Sequence, residues 1–146
     1  MKKTICLVLA FAGIIIIACN NPKKDAKENP YQGAWEVTYT KVVYPDTTYE
    51  NTQFANPTVK LLTKTHYAFG RQNGENKIGG GGGEYTYQGD SITFYPKYHS
   101  NYSSMMVGKS FVYKSKIEGD LWTISNVFKN DTLKVESTET WKRIIE

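Results

Sequence analysis

The stretch Thr58–Pro96, TVKLLTKTHYAFGRQNGENKIGGGGGEYTYQGDSITFYP, decides the fold of this chain. β-branched and aromatic residues alternate with polar ones through much of it, and Asn73-Gly74 and Gly89-Asp90 interrupt the alternation. Alternation with a period of two is typical of half-buried strands, and an Asn-Gly pair is a strong hairpin signal. The stretch therefore predicts consecutive antiparallel strands of one sheet.

A run of glycines, Gly79–Gly83, lies inside this stretch. A phosphate-binding loop would end in Gly-Lys-Ser or Gly-Lys-Thr and lead into a helix, and this run does neither. Within a sheet, glycine marks a bulge, a sharp bend or the close approach of another backbone. We therefore expect a flexible or bulged hairpin segment here.

The rest of the chain body continues the same pattern. Gly33–Val43 alternates, with Trp35, Val37 and Tyr39 on one face, and no window has the sustained spacing of an amphipathic helix. Turn residues separate roughly eight or nine such runs, which indicates an all-β antiparallel meander. Closure into an up-and-down barrel would remove the exposed edges of the sheet. A β-sandwich is the alternative, but we find no long Greek-key crossover.

The N-terminal segment predicts export and a lipid anchor. Lys2 and Lys3 precede the apolar run Ile5–Ile17, which is too short to span a bilayer comfortably and is typical of a signal peptide. The sequence Ile16-Ile17-Ala18-Cys19 resembles the lipobox of bacterial lipoproteins, which implies cleavage before Cys19 and lipidation of its sulfur. An ordinary secretory signal is the alternative.

These features divide the chain into three parts. Residues 1–18 are the expected signal peptide, 19–29 the lipidated cysteine with a polar, flexible tether, and 30–146 a single β-domain. The expected location is the Gram-negative cell envelope, on the outer rather than the inner membrane. Cys6 would leave with the signal peptide, so the body holds no cysteine and no disulfide.

Charge gives no indication of nucleic-acid binding. Without Lys2 and Lys3, the 18 basic residues fall to 16 against 14 acidic ones, so the mature chain is close to neutral. No Lys/Arg cluster provides the positive surface that phosphate backbones require. The expected partners are a membrane, reached through the lipid, and a small molecule.

One set of residues resembles a known family. Gly33-x-Trp35 near the start and Trp141-Lys142-Arg143 near the end are similar to the lipocalin pattern, in which an arginine of the last strand covers the first-strand tryptophan at the closed end of the barrel. The runs Leu62–Gln72, Gly82–Asp90 and Val107–Phe111 resemble the lipocalin-like domain of bacterial lipoproteins. The resemblance covers residues 31–143 and implies a lipocalin-like barrel of about eight strands with a cavity, but no particular ligand.

Catalytic and metal-binding signals are weak. His66 and His99 are the only histidines, and neither belongs to a His-x-His or His-Glu-x-x-His spacing. An acid–base site would require these two side chains and Glu84 to converge in one pocket. We therefore predict neither a metal site nor a cofactor, and no enzymatic activity.

The predicted function is binding of a small apolar or amphipathic ligand inside the barrel. Tyrosines combine apolar area with an orienting hydroxyl, which suits a ligand cavity. Successive side chains of a strand point to opposite faces, so only one of two neighbouring candidates can face inward. The candidate contacts are His66, Tyr67, Phe69, Arg71, Tyr85 and Tyr87. The alternative is a non-enzymatic interaction module that binds an envelope protein or glycan through loops and outer aromatics around Tyr95–Tyr102.

Overall fold

The computed structural model describes residues 28–72, 78–100, 106–129 and 133–145. Within these ranges the chain forms nine strands and no helix. The strands are β1 Gly33–Val43, β2 Thr48–Asn51, β3 Val59–Leu62, β4 His66–Gln72, β5 Ile78–Gln88, β6 Ser91–His99, β7 Phe111–Glu118, β8 Leu121–Lys129 and β9 Lys134–Arg143. None of the described residues belongs to a helix that is long and apolar enough to cross a bilayer.

Eight of the strands close into an antiparallel barrel, because β1 pairs with β9 as well as with β3. The strand β2 lies outside this ring. β2 and β3 pair with different parts of the same edge of β1: β2 pairs with Thr40–Val43, and β3 pairs with Gly33–Glu36. The predicted fold class, an all-β antiparallel barrel of about eight strands, is confirmed, with the β1–β2 hairpin as an addition.

The glycine run forms part of a regular strand. Gly79–Gly83 pairs with β4 on one side, and a register shift toward β6 falls between Gly82 and Gly83. A Cβ atom on Gly82 would lie 2.6 Å from the Tyr67 carbonyl oxygen and collide with the ring of Tyr98. The run thus provides the expected bulge and close approach, but as strand residues and not as a hairpin turn. Residues 73–77, which include the predicted Asn-Gly turn, lie outside the described ranges.

One end of the barrel is closed by contacts between the first and last strands. The Arg143 guanidinium lies 4.1 Å from the centre of the Trp35 ring and donates hydrogen bonds to the carbonyl oxygens of Gln32 (2.7 Å) and Pro30 (2.9 Å). The Trp35 indole N–H donates to the Tyr31 carbonyl oxygen at 2.9 Å. The segment before β1 is thereby held across this end, beneath the barrel core.

Candidate functional site

Strand register determines which side chains face the barrel interior, since paired residues share a face of the sheet. On this basis the interior has two parts. In the closed half, next to Trp35 and Arg143, Tyr87 is 41% exposed and Tyr113 and Ile117 are partly exposed, but the other interior side chains are only 0–7% exposed. They are Trp35, Val37, Leu62, Tyr67, Tyr85, Ile92, Phe94, Ser115, Trp122, Ile124 and Trp141.

The open half lies at the other end of the strands, where Pro96 is buried but the other interior-facing side chains are partly or largely exposed. They share the inner face of the same strands with the core residues of the closed half, as the strand pairing shows. They are Thr40, Val42, Phe69, Arg71, His99, Phe111, Asn126, Phe128, Val135, Ser137 and Glu139. The interior side chains of the described residues are therefore mostly buried in the closed half and mostly accessible to solvent in the open half.

Lys60 lies at the boundary between the two halves, with its side chain inside the barrel. Its neighbours in register are Trp35 on β1 and Phe69 on β4, both of which face inward. The ammonium nitrogen lies 3.9 Å from the ring centre of Trp141 and 5.2 Å from that of Trp122. Such contacts stabilise a cation through the negative face of each ring, and more strongly when water is excluded.

Glu139 is the carboxylate nearest to this cation. One of its oxygens, Oε2, is 3.9 Å from the Lys60 ammonium and accepts a hydrogen bond from the Trp141 indole N–H at 3.0 Å. The Glu139 side chain is 36% exposed and that of Lys60 only 9%, so the carboxylate lies nearer to solvent. Burial lowers the pKa of Lys60, and the charge of Glu139 opposes part of that shift.

Two tyrosines complete the polar part of this region. Burial raises the pKa of Tyr67 to about 12, with a smaller contribution from Tyr98. Burial also raises the pKa of Tyr113 to about 12, and the nearby charge of Glu139 adds to the shift. Both hydroxyl groups therefore remain protonated at neutral pH, and the charges here are those of Lys60 and Glu139.

Lys60 and Glu139 were absent from the predicted site. The sequence Val59-Lys60-Leu61-Leu62 places an apolar residue on each face of the strand, so its hydropathy does not identify the inner one. Pairing of Leu62 with Tyr67 places Lys60 inside and leaves Leu61 exposed. The sequence does hold a signal for Lys60. It lies two residues before Leu62 and so shares its strand face, and Leu62 pairs with the inward-facing Tyr67 across the β3–β4 turn.

The predicted aromatic contacts lie at different levels of the barrel. Tyr67 and Phe69 face inward near the boundary, with stacked rings 6.5 Å apart. Tyr85 lies in the closed half, where its hydroxyl donates to the Thr63 carbonyl oxygen (2.6 Å) and accepts from the Asn29 amide (2.7 Å). Tyr87 lies at the closed end, edge-on to Tyr31 at 5.1 Å. Only the first two adjoin the open half.

The two predicted polar contacts also separate. Arg71 follows Phe69 on the inner face and is exposed at the rim of the open half. His66 points outward, because its strand neighbour Tyr67 points inward, and it pairs in register with Glu84. The His66 ring and the Glu84 carboxylate are 4.0 Å apart, and Lys97 is 3.4 Å from the same carboxylate. His66 therefore makes no contact inside the barrel.

The three groups that an acid–base site would need are not brought together. His66 and Glu84 lie on the outer face, whereas His99 packs against Phe69 on the inner face at 5.5 Å. Among the described residues, no three His, Cys, Asp or Glu side chains are grouped to hold a metal ion. Cys19, the predicted lipidation site, lies outside the described ranges.

The outer surface of β5 and β6 has a depression of about 510 Å³. Two threonines, a serine, two tyrosines and a glutamine contribute to its lining. The lining residues are Thr86, Tyr87, Gln88, Ser91, Thr93 and Tyr95. This surface is separate from the interior site, on the opposite side of the sheet.

Neither a protein-family model nor a curated protein matches the chain. The closed antiparallel barrel and the position of Arg143 over Trp35 are consistent with a lipocalin-like fold.

Proposed function

We propose that the protein binds a small amphipathic molecule in the open half of the barrel. The observation that carries this proposal is the difference in burial along the interior: most interior side chains of the closed half are 0–7% exposed, and most of those in the open half are partly or largely exposed. Phe69 and Phe111 offer apolar contacts to the body of the ligand. Lys60 and Glu139 offer polar contacts to its deeper end.

The charged pair supports this proposal on energetic grounds. Removing a charge from water costs several kcal/mol, by an order-of-magnitude estimate, and a well-packed apolar pair is often as stable or more stable. Ring contacts and Glu139 offset part of the cost for Lys60. Buried ionisable groups with shifted pKa values cluster at functional sites.

The N-terminal sequence supports a location for this binding protein. We propose that Cys19 carries the lipid anchor and holds the domain at the cell envelope through the polar tether. Mass spectrometry of the N-terminal peptide should find acyl chains on Cys19, and Cys19→Ser should release the protein from the membrane fraction. An unmodified Cys19 in the native protein would contradict the anchor and leave the binding site untouched.

Native mass spectrometry of the full-length protein, extracted gently from its own host, tests the binding function. We expect an added mass of a few hundred daltons that is lost on denaturation. A smaller fraction of Phe111→Ala should carry this mass, because the substitution removes an apolar ring from the open half. Val112→Ala, on the outer face of the same strand, is the matched control and should keep the ligand. Equal retention in both variants would place the ligand elsewhere.

A second candidate function, recognition of a glycan or envelope protein, is favoured by the outer depression alone. Hydroxyl and amide groups beside Tyr95 suit the hydrogen bonds and ring stacking that saccharides use. Tyr95→Ala should then reduce binding to isolated envelope glycans, and Phe111→Ala should leave that binding unchanged. The two variants thus separate the outer surface from the interior site.

A further inference from the structure

We propose that the interior site selects an amphiphile whose head group is uncharged and bears a hydroxyl, over a carboxylate or an ammonium of the same chain length. This inference rests on the proposed binding function and adds the chemical class of the ligand. It follows from the pairing of Lys60 with Glu139 at the base of the open half.

The first argument is the charge balance of the site. The ammonium of Lys60 and the carboxylate of Glu139 are 3.9 Å apart and cancel in net charge. The neighbouring hydroxyl of Tyr113 is neutral at physiological pH. Arg71 is exposed at the rim, where solvent screens its charge. A charged head group would therefore enter a neutral site, with no net charge to compensate for its lost hydration.

The second argument is the order in which a ligand would meet the two charges. Glu139 is 36% exposed and Lys60 only 9%, so an anion coming from the open half approaches the carboxylate before the ammonium. The rings of Trp141, Trp122 and Phe94 already cover the ammonium from below. A cationic head would pair with Glu139 but would be repelled by Lys60 immediately beneath it.

The third argument is the spacing between the polar atoms. A separation of 3.9 Å is too long for a direct hydrogen bond between Lys60 and Glu139. An oxygen placed about 2.8 Å from both atoms lies within hydrogen-bond distance of each. A hydroxyl group can donate to the carboxylate and accept from the ammonium at the same time.

The test compares three probes with one chain length: octan-1-ol, octanoate and octylamine, at pH 7. Full-length protein held in an amphipol is titrated with each probe, and tryptophan fluorescence reports binding because Trp122 and Trp141 adjoin the site. We expect octan-1-ol to bind at least tenfold more tightly than either charged probe. Empty amphipol corrects for partitioning.

Two substitutions should change the preference in opposite directions. Glu139→Gln keeps the shape but leaves the site positive, so octanoate should become the best probe. Lys60→Met leaves it negative, and octylamine should then bind best. Glu118→Gln, at an exposed carboxylate paired with Lys116, is the matched control and should leave the order unchanged.

The outcomes separate this inference from the function on which it rests. If octanoate or octylamine binds the unmodified protein as tightly as octan-1-ol, the neutral-head inference is overturned and the binding function stands. Binding of no probe by any of the folded proteins would overturn both. Near-ultraviolet circular dichroism establishes folding, and Glu139→Gln, the more conservative change, decides the result if Lys60→Met does not fold.

Discussion

Ser115 and Ser137 both face the barrel interior, yet their surroundings differ. Ser115, in the closed half, donates a hydrogen bond to the Tyr31 hydroxyl and accepts one from the Trp122 indole, at 3.0 and 2.9 Å. Ser137, in the open half, remains partly exposed. The closed half thus satisfies its interior polar groups internally, as a stable core requires. The open half leaves its polar groups within reach of solvent or of a ligand.

The largest expected effect contrasts an aromatic residue in each half. Trp122 is fully buried, so Trp122→Ala should lower the free energy of unfolding by about 3–5 kcal/mol. Phe111 is only partly buried, and Phe111→Ala should cost about 1 kcal/mol. Urea unfolding followed by circular dichroism measures both changes. Equal losses would mean that the open half is packed as tightly as the closed half.

The closed end depends on the geometry of one guanidinium group. Arg143→Met removes the contact with Trp35 and two hydrogen bonds to carbonyl oxygens, and should cost about 1–3 kcal/mol. Arg143→Lys should restore little, because an ammonium lacks the planar fork that bonds both carbonyls while stacking on the ring. Thermal unfolding measures both variants. Full recovery with lysine would show that charge alone matters.

A smaller effect concerns the tyrosines at the boundary. Tyr67 and Tyr113 should ionise near pH 12 in the folded protein, and the same side chains near pH 10 in the unfolded chain. Between these values the unfolded chain loses protons that the folded protein retains, so the free energy of unfolding falls as pH rises through this window. Absorbance at the phenolate band measures the titration, and Tyr113→Phe should remove one late-ionising group.

The smallest effect is expected on the outer face. His66 is 63% exposed and its contact with Glu84 spans 4.0 Å, so His66→Gln should change the free energy of unfolding by less than about 0.5 kcal/mol. Binding inside the barrel should also be unchanged. A large loss of either in urea unfolding or native mass spectrometry would contradict the outward position of His66.

The fold could be predicted from the sequence because its signals are local. Alternation in Gly33–Val43 and the turn residues between later runs indicate strands, and closure follows from the need to satisfy the edges. The strand face of His66 or Tyr67 could not be assigned, since it depends on pairing with Leu62. Lys60 and Glu139 are 79 positions apart in the numbering and meet only because β1, between β3 and β9, closes the barrel.

Ser115 and Ser137 provide the most direct test of the central claim, that the closed half of the interior excludes solvent and the open half admits it. Residues 30–146 contain no cysteine, so Ser115→Cys and Ser137→Cys each introduce one thiol there by a nearly isosteric change. We predict that a small methanethiosulfonate reagent modifies Ser137→Cys at least a hundredfold faster, and that octan-1-ol slows this reaction. Unsubstituted protein corrects for reaction at Cys19. Equal rates in the two folded variants would contradict the account.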